Sequence, residues 1–107
     1  MAVQERQNPY SGRVEVWVDD VKRHDALVSL AESVEYDIHP SGERFYGRRR
    51  WGGHLSELTR ENLAQLMSLP QGFELRFPAG QTGRAVLEDM TTGRITGTLQ
   101  APWTIQP

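Results

Sequence analysis

The sequence contains no cysteine among its 107 residues. Disulfide bonds and thiolate chemistry are therefore excluded, and cysteine usage reveals nothing about the redox compartment. The chain also lacks an apolar run long enough to cross a membrane as a helix, and its polar N-terminus does not resemble a signal peptide. A cytoplasmic protein is the default expectation.

A strong excess of either charge is missing too. The net charge is −2 and 37% of the residues are hydrophobic. These values argue against a nucleic-acid-binding surface over the whole protein, and we expect no nucleic-acid or membrane partner. The length suits one domain with one modest core. We expect a flexible N-terminal segment over residues 1–9, which is polar and ends in Asn8-Pro9, and a single domain over residues 10–107.

Apolar and polar residues alternate along most of the chain, which predicts short strands separated by turns. In the clearest case, Val14, Val16 and Val18 alternate with polar neighbours and Trp17. The pair Gly52-Gly53 is expected to end the strand that precedes it. Glycine inside a strand, as at Gly47 and Gly97, commonly marks a bend or the close approach of another segment. The predicted strands are residues 12–19, 23–31 with a continuation over 34–38 after a break near Glu32-Ser33, 44–51, 73–77, 83–90 and 94–100.

One segment changes period. Its apolar residues fall mostly on one helical stripe; they are Leu55, Leu58, Leu63, Leu66, Met67 and Leu69. Thr59 can cap a helix here, and Pro70 with Gly72 can close it, which predicts one short α-helix over about Thr59 to Ser68. The whole pattern favours a mainly β fold, either a small antiparallel barrel or a strongly bent sheet of six to seven strands, with the helix over one open end.

Several short motifs resemble those of a bacterial domain family of unknown function. They are Tyr10-Ser11-Gly12, SGERFYGR over residues 41–48, GRITGT over residues 93–98, and Ala101-Pro102-Trp103. Members of that family occur alone or attached to the C-terminal side of flavin-dependent monooxygenases. The resemblance covers Tyr10 to Trp103. It implies an accessory module with a flavin-dependent oxygenase as partner, and it assigns no catalytic residue.

The densest mixture of aromatic and cationic residues lies over residues 41–51. In a regular strand, Phe45, Arg49 and Trp51 share one face. A guanidinium among aromatic rings can bind a carboxylate or another anion bidentately. We therefore predict a binding site for a small apolar or anionic ligand, formed by Tyr36, Phe45, Tyr46, Arg49 and Trp51. In the alternative, this face is exposed near the rim of the sheet and Arg49 pairs with a neighbouring acid.

Acid–base chemistry is a second possibility for the same region. Asp37, His39 and Tyr46 lie on either side of the turn predicted near Pro40. If one of these groups faced the interior, desolvation would shift its pKa towards catalytic use. This describes a cofactor-free cyclase or isomerase with Asp37 or His39 as base and Tyr46 as acid. The alternative is an exposed hairpin in which acidic side chains balance arginines.

No residue spacing indicates a cofactor or a metal. His24, His39 and His54 are isolated from one another, and the chain has neither a phosphate-binding loop nor a nucleophile elbow. We favour a small binding or accessory module, with the cyclase or isomerase as one alternative. The other is an oligomerising interaction protein that uses exposed strand edges and Trp17, an aromatic residue among the polar positions of its strand.

Overall fold

A computed structural model describes residues 2–97 and 100–105 of the chain. Within this part the protein is mainly β. Thr98 and Leu99, in the last predicted strand, lie outside the described residues. The elements are β1 (Ala2–Val18), β2 (Val21–Ile38), β3 (Arg44–Ser56), α1 (Arg60–Met67), β4 (Phe73–Arg76), β5 (Thr82–Asp89), β6 (Arg94–Gly97) and a 3₁₀ turn over Pro102–Thr104.

The strands form one antiparallel sheet that closes on itself. Their order is β1-β2-β3-β6-β5-β4, and β4 pairs back with β1. Only short parts of the long strands close this ring: residues 15–17 of β1 pair with β4, and residues 51–54 of β3 pair with β6. The part of the chain that the structure describes has six antiparallel strands and one short helix, which confirms the mainly β fold of six to seven strands predicted from the alternation.

Apolar side chains fill the inside of the ring. Val16, Phe73, Leu75 and Ile95 have no exposed surface, and Trp51 is also buried. Trp103 packs back on the body of the protein, and its ring meets that of Trp51 edge-on at 5.7 Å between centroids. The core consists of Val14, Val16, Ala26, Val28, Leu30, Trp51, Leu55, Leu66, Phe73, Leu75, Phe77, Ala85, Leu87, Ile95 and Ala101.

The helix α1 begins and ends where the sequence predicts. The Thr59 hydroxyl accepts a hydrogen bond from the Asn62 backbone N–H at 3.1 Å, and Ser68 is the C-terminal cap. Leu66 is buried in the core, and the helix lies against β5. Among the described residues, no helix is both long enough and apolar enough to cross a membrane.

Three strands continue beyond the ring and form an arm, which we define as residues 2–9 of β1, 31–38 of β2 and 44–50 of β3. In the described part of the chain these residues pair only within β1, β2 and β3, and β2 lies in the middle. The protein is elongated, with extents of 51, 31 and 22 Å. Residues 2–9, which the sequence analysis assigned to a flexible segment over residues 1–9, belong to β1, and residues 2–7 pair in register with β2.

A bulge in β3 changes which side chains share a face of the arm. The pairs Val34–Arg49 and Tyr36–Tyr46 lie two positions apart on β2 but three apart on β3. Directly paired residues share a face, so Tyr46 lies on the same face as Arg49. The prediction that Phe45 shares that face is therefore wrong, since regular alternation does not continue through the bulge.

The strand β3 does not end at Gly52-Gly53, as the sequence suggested, but continues to Ser56. Here β3 lies between β2 and β6. A Cβ atom on Gly53 would overlap the Ser29 carbonyl oxygen, and one on Gly52 would lie 2.5 Å from the Ile95 carbonyl oxygen. The glycines therefore permit a close approach of strands instead of breaking one. At the break predicted near residues 32–33, β2 continues as one long strand, and the irregularity lies opposite, between Gln7 and Tyr10.

Candidate functional site

The structure separates the residues predicted to form a ligand pocket. Trp51 is 1% exposed inside the ring, whereas Phe45 and Tyr46 on the arm are 54% and 61% exposed. Tyr36 and Tyr46 do meet, with ring centroids 5.7 Å apart, and the Arg44 guanidinium lies 5.0 Å from the Tyr36 centroid. The five predicted residues therefore enclose no common pocket. Two of them form a partly exposed aromatic pair.

Arg49, the proposed anion-binding group, lies at the base of the arm beside a buried acid. Its Nη1 is 3.8 Å from Oε2 of Glu32, which is 1% exposed. Oε1 of Glu32 accepts a hydrogen bond from Asn8 Nδ2 at 2.7 Å, while Oε2 has no hydrogen-bond partner among the described residues. This arrangement matches the alternative in which Arg49 pairs with a neighbouring acid. The sequence analysis missed Glu32, although it occupies an inward position in the alternation between Leu30 and Val34.

The three weak catalytic candidates lie at the surface. Asp37, His39 and Tyr46 are all exposed, and His39 Nδ1 lies 2.9 Å from the Ser41 hydroxyl in the β2–β3 turn. None of the three faces the ring interior, so the desolvation required for the cyclase or isomerase alternative is missing there. Within residues 2–97 and 100–105, no group of three histidine or carboxylate side chains is arranged to hold a metal ion.

Trp17 is half-buried and covered by an arginine. The Arg76 guanidinium lies 3.5 Å from the ring centroid, and Glu74 holds that arginine through a 2.8 Å hydrogen bond from Nε. The indole Nε1 donates to the Glu15 carboxylate at 3.1 Å. This hydrogen bond, together with that from Lys22, lowers the pKa of Glu15. The polar edge of Trp17 is therefore satisfied within the chain.

A shallow depression of about 400 Å³ lies on the outer surface where the arm joins the ring, and we call it the basic groove. Small residues, Ala31 and Gly52, lie directly across from each other on its floor. Beside them, Arg6 pairs with Ser33 and Ser33 pairs with Arg50, so the three residues form a row across three strands. Since neighbouring strands are about 4.8 Å apart, the two arginines start roughly 10 Å from each other, with the serine hydroxyl between them.

On the other side of the groove floor, His54 of β3 pairs with Arg94 of β6. Arg48, from the β3 bulge, also lines the groove. Four arginines and one glutamate, Glu35, are therefore present in its lining, and Glu35 accepts a hydrogen bond from Gln4 at 3.1 Å. The groove carries a positive balance of charge although the whole protein is slightly acidic.

Three of these arginines are available to bind an added anion. In the part of the chain that the structure describes, Arg6, Arg48 and Arg50 form no ion pair, while Arg94 Nε lies 3.6 Å from Glu88. The sequence analysis placed the site around Arg49, which lies on the face opposite Arg50. The other cationic groups of the groove come from β1 and β6, far away in sequence, so only the register brings them together.

Comparisons with known proteins give no match: the chain matches no family model, no curated protein and no solved structure. The resemblance to the bacterial domain family, and the flavin-dependent oxygenase partner that it implies, therefore stay predictions.

Proposed function

We propose that this protein is a small binding module whose basic groove holds a compact ligand with one or more carboxylate or phosphate groups. The observation that carries the proposal is the placement of Arg6 and Arg50 on either side of Ser33, both without an ion pair in the described chain. A guanidinium presents paired N–H donors that match the two oxygens of a carboxylate or phosphate. The serine hydroxyl between them supplies a further donor.

The shape of the groove agrees with a small ligand. Its volume of about 400 Å³ lies in the range of roughly 300–1,000 Å³ typical of small-molecule sites. The floor residues Ala31 and Gly52 leave room above the sheet, and the arginine side chains rise on both sides. The accessory role beside a flavin-dependent oxygenase remains compatible with a module of this kind and is not required by it.

Titration with citrate and with inorganic pyrophosphate tests the proposal, monitored by backbone amide shifts in two-dimensional NMR. We expect saturable shifts concentrated at Ser33, Gly52 and Thr96, and weaker binding as salt is added. The Arg50→Gln variant removes one charge-assisted contact worth about 1.5–3 kcal/mol, so we expect at least about tenfold weaker binding. Arg23→Gln is the matched control, because Arg23 is exposed, forms no ion pair in the described chain and lies outside the groove.

Two results would count against the groove. In the first, neither anion produces saturable shifts. In the second, the Arg23 and Arg50 variants weaken binding equally, which would mean a diffuse charge effect. Citrate binding without pyrophosphate binding identifies a carboxylate site, and the reverse identifies a phosphate site.

A further inference from the structure

The end of the arm exposes an unusual amount of apolar surface. Ile38, Phe45 and Tyr46 are 40%, 54% and 61% exposed, and Arg44 lies beside them. We call these four residues the arm tip. In the described part of the chain no other element packs on them, because the arm pairs only within β1, β2 and β3. Ile38, Arg44 and Tyr46 share one face of the arm and Phe45 lies on the other, so the arm tip presents apolar surface on both sides of its end. Exposed apolar side chains at one end of a sheet are typical of a contact surface.

A wide groove of about 910 Å³ lies at the other end of the β1–β2 hairpin, and we call it the end groove. Trp17, Val18 and Leu69, all partly exposed, contribute apolar surface to its lining. Asp19 and Asp20, the two residues of the hairpin turn, stand at its rim, and neither carboxylate forms an ion pair among the described residues.

The other charges of the end groove do not cancel the two turn carboxylates. Glu74 is paired with Arg76 at 2.8 Å. Arg84 is the single arginine in the described lining, and the lining contains no lysine. The end groove therefore combines a partly apolar lining with the two carboxylates of the hairpin turn, whereas the arm tip is apolar and carries Arg44.

The two surfaces cannot meet within one copy. Val21 and Ile38 mark opposite ends of β2, whose 18 residues are joined by 17 steps of about 3.3 Å and span roughly 56 Å. This length agrees with the longest dimension of the molecule, 51 Å. A contact between arm tip and end groove is therefore a contact between two copies.

We propose that the arm tip of one copy docks in the end groove of a second copy, with Arg44 facing Asp19 and Asp20. The match is in both polarity and charge: apolar side chains of the arm tip meet the apolar part of the groove lining, and opposite charges meet beside it, as in many protein interfaces. Two copies that satisfy both ends reciprocally form a closed dimer, and copies that do not close form an extended chain. The proposal goes beyond anion binding and uses other residues.

Sedimentation velocity over a wide range of protein concentration tests the contact. We expect the mass of the wild type to rise with concentration above that of one chain. The variant Phe45→Ser/Tyr46→Ser lacks the tip, and Asp19→Asn/Asp20→Asn lacks the rim charges; each is expected to associate at least tenfold more weakly. Asparagine tolerates the positive φ of 50° and 62° at the turn, so the second variant keeps the hairpin. Arg60→Gln and Glu61→Gln, both on the exposed side of α1, are the controls and should behave as wild type.

A mixture of the two variants gives the sharper result. Each retains one intact surface, so together they form a single tip–groove contact and stop at a heterodimer, while each alone stays monomeric. The proposal is overturned by a wild type that remains monomeric throughout, by association that neither variant weakens, or by a mixture that forms no heterodimer although circular dichroism shows both variants folded.

Discussion

The indole ring of Trp51 occupies the space that a side chain on Gly97 would need. The two residues are directly paired between β3 and β6, and a Cβ atom built on Gly97 would overlap the Trp51 ring. Trp51 is fully buried, and its ring has little room to move because it also packs against Trp103. The sequence analysis noted Gly97 as a site of close approach, and the structure identifies the neighbour as an aromatic ring rather than a backbone.

Gly97→Ala is expected to lower the free energy of unfolding by about 1–3 kcal/mol, because it overpacks the core beside Trp51. Gly47→Ala is the matched control. A Cβ atom there would lie 3.7 Å from the Glu35 carbonyl oxygen, an ordinary contact, so we expect no loss and a small gain from the stiffer unfolded chain. Urea unfolding measures both, and equal losses in the two variants would contradict the role given to Trp51.

Arg49→Met is expected to destabilise the fold by about 1–2 kcal/mol. It leaves the buried Glu32 carboxylate without the guanidinium at 3.8 Å, and the cost stays below that of a fully buried pair because Arg49 is half exposed. The double variant Glu32→Met/Arg49→Met should recover this loss, since both charges are then replaced by apolar groups. If Arg49→Met costs the same with and without Glu32, the two side chains are not coupled.

Glu15 predicts a pH dependence of stability. The hydrogen bonds from Trp17 and Lys22 lower the pKa of this carboxylate below its ordinary value of 4.5. A lowered folded-state pKa contributes stability that is fully present above pH 4.5 and is lost as the pH falls through the folded-state pKa. We expect the urea midpoint of the wild type to fall more steeply with acid than that of Glu15→Gln.

Lys22→Met refines this test. It removes one of the two hydrogen bonds that lower the pKa of Glu15, so the acid dependence should become intermediate. The same substitution also removes the Lys22 ammonium group, whose pKa is raised by Asp25 and Glu15. The contribution of this raised pKa to folding stability is present below pH 10.5 and is lost as the pH rises above it. If the urea midpoints of the wild type, Glu15→Gln and Lys22→Met change in parallel with pH in the acid range, Glu15 is excluded as a source of the pH dependence of stability.

Thr59→Ala should weaken the helix start. The Thr59 hydroxyl accepts from the Asn62 N–H at 3.1 Å, and loss of such a cap typically costs about 1 kcal/mol. Thr59→Ser retains the hydroxyl and is expected to keep most of that stability. Thermal unfolding by circular dichroism distinguishes the variants, and an equal loss in both would assign the effect to the lost methyl group.

The local features of this chain could be predicted because they depend on side chains near in sequence. The alternation of Val14, Val16 and Val18 identifies the inward face of β1, and Thr59 with Ser68 marks the helix within one residue at each end. Both signals come from periodicity and capping, which need no knowledge of the partner strand.

The faces of the arm could not be predicted in the same way. The bulge near Gly47 appears only when β3 is aligned with β2, and it moves Phe45 away from the face of Arg49. Asn8-Pro9, interpreted as the end of a flexible lead-in, lies at a second irregularity opposite a regular stretch of β2. The basic groove depends on the same register, since Arg6 and Arg50 share only their pairing with Ser33.

The central position of β2 in the arm has a consequence for exchange of amide hydrogens with deuterated water. In the described arm, β2 pairs on both sides, whereas β1 and β3 each pair on one side only. Every second amide of an edge strand points away from its partner, and those amides meet solvent directly. Protection should therefore alternate with a period of two along residues 3–7 and along the unbulged part of β3, and remain continuous along residues 32–34 between them.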